Sequence, residues 1–113
     1  AFKLAQKYVE GLKLYIIGDV KTGSFNNMDV LVSQLQQDKD VVLLGRVADT
    51  ELVKFYSNAM AFVFPSFYEG FGIPVLEAQA CGCPVISSDS SALLEVIVQY
   101  CVIQIKKMIL LKL

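Results

Sequence analysis

Apolar residues over the first 95 or so positions alternate between two spacings. Phe2, Ala5, Tyr8 and Val9 recur at helical intervals, and Gly11 follows where a left-handed helix end favours glycine. This predicts a helix over residues 2–9, already under way at residue 1. A short apolar run at 12–17 closes on Gly18-Asp19, and the polar stretch 20–27 reads as a loop. Met28, Leu31, Val32 and Leu35 restore the helical period, and 41–44 is a second strand-like run ending at Gly45. Asp49 stands where a cap would open a helix carrying Leu52, Val53, Phe55 and Tyr56. Residues 61–64 form the third run. A helix over 74–80 has proline in its first turn and ends at Gly82; 84–87 is the fourth strand, and Ser90 or Ser91 opens a last helix.

Strands linked one after another through helices are parallel, with right-handed crossovers, so the order predicts an α/β fold: a Rossmann-like parallel sheet with helices on both faces. In such sheets ligands bind beyond the carboxyl ends of the strands. Gly18-Asp19, Gly45-Arg46-Val47, the stretch 65–72 and the stretch 87–91 all fall at that one edge.

The pattern stops near residue 96. Residues 96–105 are mostly β-branched and carry no turn signal, so strand and helix are both open there. All eleven acidic residues lie between Glu10 and Glu95, and beyond them the only charges are Lys106, Lys107 and Lys112. This divides the chain into a domain over 1–97 and a divergent apolar tail over 98–113.

Composition narrows the chemistry. With 113 residues, 55% of them hydrophobic and 19% charged, the chain suits one layered domain with a largely buried sheet. A net charge of −1 gives no reason to expect nucleic acid as a partner. Three cysteines, Cys81, Cys83 and Cys101, form no disulfide framework at this odd count without a signal-like start, which points to a reducing, cytoplasmic setting. With no histidine and no second cysteine pair at zinc-site spacing, no metal is expected, and Cys81 and Cys83 read as small packed residues at a helix end. No apolar stretch reaches the roughly 18 residues of a membrane span, because Lys106 and Lys107 interrupt the tail.

The chemistry concentrates around Glu69 and Glu77, eight residues apart across a glycine-rich turn. Gly70 and Gly72 let backbone amides approach a ligand, and the following helix offers first-turn amides that lack internal partners. Such an amino terminus, with about half a positive elementary charge, suits a pyrophosphate, and a carboxylate such as Glu77 accepts two hydrogen bonds from a vicinal diol. From the residues alone this is a candidate nucleotide site, balanced against a common turn beside a solvated acid.

The segment Phe64-Pro65-Ser66-Phe67-Tyr68-Glu69-Gly70-Phe71-Gly72-Ile73-Pro74-Val75-Leu76-Glu77-Ala78 closely resembles the signature of the retaining GT-B nucleotide-sugar glycosyltransferases of family four, whose hallmark is the E-x7-E pair. Leu14-Tyr15-Ile16-Ile17-Gly18-Asp19, Val42-Leu43-Leu44-Gly45-Arg46-Val47, Ala80-Cys81-Gly82-Cys83-Pro84-Val85-Ile86-Ser87 and Ser91-Ala92-Leu93-Leu94-Glu95-Val96 follow in the family's order, so the resemblance covers about residues 1–97. It implies the partial carboxy-terminal half of a GT-B fold, which binds the donor. It also implies transfer of a sugar from a UDP- or GDP-linked donor to a hydroxyl with retention, in polysaccharide or glycoconjugate biosynthesis, with no cofactor. By resemblance Glu69 is the catalytic glutamate beside the donor sugar. Gly70, Phe71, Gly72 and Ile73 supply backbone donors to sugar hydroxyl and phosphate, Glu77 clamps the ribose, and Arg46 and Val47 pass the base. Ser66 and Glu95 are weaker carry-overs; Gly18 and Asp19 match a motif lining the cleft. For Tyr68 and Phe71 packing of the loop against the core is the better account.

The resemblance also implies an acceptor-binding domain and a basic pair on the first strand-loop, both of which would precede Ala1. It places a full-length enzyme in the cytoplasm, peripheral at the inner membrane face. After Glu95 the pattern departs: the family reads Ala-Leu-Pro-Glu-Val and then glycine, whereas this chain has Leu94 for the proline and then the apolar tail. The expectation is therefore a glycosyltransferase fragment supplying the donor half, with an end out of frame or otherwise unrelated to the original gene, or else a genuine divergent helix. A noncatalytic nucleotide-sugar-binding module or partner subunit, and a nonfunctional truncated product, are the alternatives.

Overall fold

A computed structural model of the chain describes residues 1–18, 28–64, 72–87 and 108–112. The elements are α1 (Phe2–Ala5), β1 (Lys13–Ile17), α2 (Met28–Gln36), β2 (Val41–Leu44), α3 (Asp49–Asn58), β3 (Ala61–Phe64), α4 (Ile73–Ala80), β4 (Val85–Ser87) and β5 (Met108–Lys112). The strands form one five-stranded sheet in the order β2-β1-β5-β3-β4, and every neighbouring pair is parallel. The expected α/β architecture, a parallel sheet with flanking helices, is what the chain adopts.

Four strands stand where the apolar runs place them, and the fifth comes from a segment that the hydrophobic pattern does not mark as an element. Met108–Lys112 lies at the centre of the sheet, pairing Leu14 with Ile109 and Ile17 with Lys112 on one side, and Ala61 with Ile109 on the other. Leu110 is fully buried there. With β5 set aside, the rest of the sheet winds outward from a central position, from β1 to β2 on one side and from β3 to β4 on the other. That central position, where a doubly wound sheet changes direction, is held by the last strand of the chain.

The core follows from strand parity. Tyr15 and Ile17, Leu44, Phe62 and Phe64, Val85 and Leu110 alternate onto one face, where they meet Leu52, Tyr56 and Ala59 from α3 and its end, and Val75 and Ala78 from α4. Ile16, of opposite parity, is buried without joining this cluster, so the second face is covered too. The aromatic centre is Phe62, edge-on to Tyr56 with ring centroids 5.3 Å apart and 5.8 Å from Phe64.

Three local readings need correction. The helix predicted over 2–9 is helical only at Phe2–Ala5; after it the amides of Lys7 and Tyr8 bond three residues back, to Leu4 and Ala5, in tighter turns. The Gln6 side chain there donates to the Leu12 carbonyl and to Asp40 Oδ2, both at 3.1 Å. Asp49 is not a cap: Ala48 holds that position in extended conformation, and Asp49 is the first helical residue, where with Glu51 its charge complements the helix dipole. The fourth helix begins at Ile73 rather than Pro74. The predicted loop over 20–27, the helix opening at Ser90 or Ser91 and the segment 96–105 lie outside the described residues. Among the described residues no helix is long and apolar enough to cross a membrane.

Candidate functional site

Parallel strands bring all their carboxyl ends to one edge, and hydrogen bonds tie those ends together. The Gly18 amide, just past β1, donates to the carbonyls of Leu44 and Gly45 at 3.2 Å each, which sets the 45–47 segment beside the end of β1. Phe64 pairs with Ser87 at the ends of β3 and β4. Gly18, Arg46, Lys112 and Ser87 therefore mark one continuous rim; α4 leads into the opposite end of β4, so the helix runs back against the strands and its start faces that rim.

The start of α4 is built around Gly72. Its φ of 67° and ψ of 41° are left-handed, a conformation that costs any residue with a β-carbon and suits glycine. Its carbonyl accepts from the amides of Val75, at 2.9 Å, and Leu76, at 3.3 Å, and Pro74 follows in the first turn, where its missing N–H costs nothing. Ile73 at this start is exposed. At the other end a Schellman motif closes the helix: Gly82 takes φ 70°, its amide bonds to the Gln79 carbonyl, and the Cys83 amide reaches back to Ala78. Cys83 is buried beside Ala78 in the core, the packed role expected of it.

Glu77 lies one turn into α4, between buried Val75 and Ala78, and is itself half-buried. Its Oε2 accepts a hydrogen bond from the Tyr56 hydroxyl of α3 at 3.3 Å. Tyr56 is 1% exposed, and burial, followed by the negative charge of Glu77, pushes its phenol well above the ordinary tyrosine value. It therefore stays protonated, a fixed donor beside the carboxylate. Hydropathy reasoning treats Tyr56 as a core residue; the signal for a second role is a polar tip on an otherwise apolar stripe.

The remaining predicted residues divide. Arg46 is exposed on the rim, whereas Val47 packs partly buried against the core cluster. Gly72, Ile73 and Glu77 are brought together by α4. Glu69, Gly70 and Phe71, with Ser66, Tyr68, Asp19 and Glu95, lie outside the described residues.

Comparison with known proteins identifies the class. The family of glycosyl transferases group 1 matches residues 1–103, and the chain belongs to it. Over 99 residues, 87% of this chain and 25% of the relative, it is 36% identical to the capsular polysaccharide biosynthesis glycosyltransferase CapM of Staphylococcus aureus. It is 54% identical over 54 residues, 48% of this chain and 14% of the relative, to the O-antigen chain mannosyltransferase B of Escherichia coli. It is 39% identical over 77 residues, 68% of this chain and 18% of the relative, to the D-inositol 3-phosphate glycosyltransferase of Pseudarthrobacter chlorophenolicus. The aligned part of this chain thus spans a quarter or less of each of these relatives. No solved structure matches. The central strand β5 lies beyond the family match.

Proposed function

We propose that this chain supplies the nucleotide-sugar-binding half of a retaining glycosyltransferase, which transfers a sugar to a hydroxyl when joined to an acceptor-binding domain. The observation that carries the reading is the position of Glu77. In a chain of this family, the carboxylate sits one turn into a helix that starts at the ligand edge of the sheet, and it is held by a neutral donor from the neighbouring helix. In this reading Glu77 accepts both hydroxyls of the ribose, the amides of Gly70, Phe71, Gly72 and Ile73 meet the phosphates and a sugar hydroxyl, and Glu69 lies beside the transferred sugar. Arg46 and Val47 flank the base. The catalytic requirement is stabilisation of charge developing on the leaving diphosphate, which amides at a helix start supply. The donor is a UDP- or GDP-linked sugar, and neither a metal nor a further cofactor takes part.

Calorimetric titration of the chain with UDP- and GDP-linked sugars tests this. Saturable binding of one of them is expected, weakened by Glu77→Ala by about 1–3 kcal/mol through loss of charge-assisted hydrogen bonds. Binding that Glu77→Ala leaves unchanged would overturn the ribose assignment.

A further inference from the structure

Tyr56 combines two properties that seldom need to occur together. Its ring is sealed in the core, 1% exposed and edge-on to Phe62, a place that a phenylalanine fills equally well. Its hydroxyl nonetheless donates to Glu77 Oε2 on the neighbouring helix. Carrying a hydroxyl into an apolar site is unfavourable unless a hydrogen bond compensates, so the partner carboxylate explains why the group is tolerated there. The reverse effect bears on function. A glutamate has three rotatable bonds, so a hydrogen bond to one carboxylate oxygen narrows the orientations in which it can meet a diol.

We propose that Tyr56 is a positioning residue for Glu77: its hydroxyl engages one carboxylate oxygen from the core side and so orients the group to receive a vicinal diol from the ligand side. The proposal rests on the reading of Glu77 as the ribose acceptor. The phenol is a suitable donor because burial and the neighbouring charge keep its proton in place across the pH range in which carboxylates are ionised. At 3.3 Å the bond is long for O–H···O, so it steers the carboxylate rather than locking it, and the expected effect is modest.

The test is a comparison of UDP and GDP with their 2′,3′-dideoxy forms, by calorimetry on the whole chain, for wild type, Tyr56→Phe, Glu77→Ala and the double variant. Tyr56→Phe keeps the ring and its packing. It is expected to weaken binding of the diol-bearing nucleotide about 3- to 10-fold, the size of one ordinary hydrogen bond, and to leave the dideoxy form unchanged. In the Glu77→Ala background it should have no further effect. Equal loss for both nucleotide forms would mean that the hydroxyl serves the core only, and the same loss with Glu77 absent would mean that it acts elsewhere; either overturns the proposal. Glu77→Ala lowering diol affinity while Tyr56→Phe changes nothing would sink the positioning role and leave the ribose reading standing. Glu77→Ala that keeps the full preference for diol over dideoxy would sink the ribose reading and the proposal with it, as would failure of both nucleotides to bind at millimolar concentration.

Discussion

The two flanks of the sheet are held by different physics. On the side of β3 and β4, the helices α3 and α4 close over Phe62, Tyr56, Val75 and Ala78, none more than 1% exposed. On the side of β1 and β2, Ile17 and Leu44 reach the same core and Tyr15 tilts against Phe55 of α3, but every residue of β2 is only partly buried and polar bonds add to the attachment. Gln6 bonds Leu12 and Asp40, Lys3 pairs with Asp38, and the Asp40 amide bonds Asp38 Oδ1 at 3.0 Å. Glu77 stands on the apolar flank. A carboxylate that must present a fixed geometry gains from a rigid, close-packed support, and a flank whose outer strand is only partly buried supplies less of one. Between the flanks β5 joins both, pairing with β1 and β3.

If this contrast is right, the largest loss comes from the apolar flank. Phe62 touches both Tyr56 and Phe64, so Phe62→Ala removes the centre of the cluster and should cost about 3–5 kcal/mol in urea unfolding. Leu110→Ala comes next, at about 2–5 kcal/mol, because it opens a cavity at the centre of the sheet. A Leu110→Ala cost near zero would separate β5 from the core and leave the two flanks without a shared strand. Gly82→Ala is smaller. A β-carbon there meets nothing within 4 Å, so only the left-handed backbone resists it, and a loss of about 1 kcal/mol is expected. A much larger loss would show that the end of α4 is more crowded than its geometry indicates.

The same contrast explains what the sequence makes legible. Strands β1 to β4 and helices α2 to α4 are readable because apolar runs and helical spacing alternate with glycines between them. β5 is not, since Met-Ile-Leu-Leu-Lys is a short apolar run inside a longer apolar tail, and nothing local distinguishes a central strand from its surroundings. Its place depends on pairing with residues about fifty and ninety-five positions away. Asp49 is misread as a cap because aspartate favours both the cap and the first turn, and only backbone geometry chooses between them. The placement of Glu77 is legible from the proline-led helix that carries it. Its partner Tyr56 is not, because a tyrosine at helical spacing with Leu52 reads as core, and the direction of its hydroxyl depends on how α3 and α4 pack.

The smallest effect belongs to the polar flank and has a signature the apolar flank lacks. Hydrogen bonding to Lys3, then to the Asp40 amide, holds the Asp38 carboxyl below the usual aspartate value, with desolvation opposing. Because the folded value is the lower one, the stabilisation is complete above the unfolded value of about 3.9 and is lost as the pH falls through the folded value. The difference in melting temperature between wild type and Asp38→Asn should therefore be constant above about pH 5 and shrink toward zero in stronger acid. Added salt should reduce the part contributed by Lys3, whose side chain is well exposed. Phe62→Ala, measured in the same buffers, should show a cost that neither acid nor salt changes, because no charge is involved. An Asp38→Asn difference that stays constant down to pH 2 would mean that the carboxylate contributes only through shape, and the polar flank would then need another explanation for its attachment.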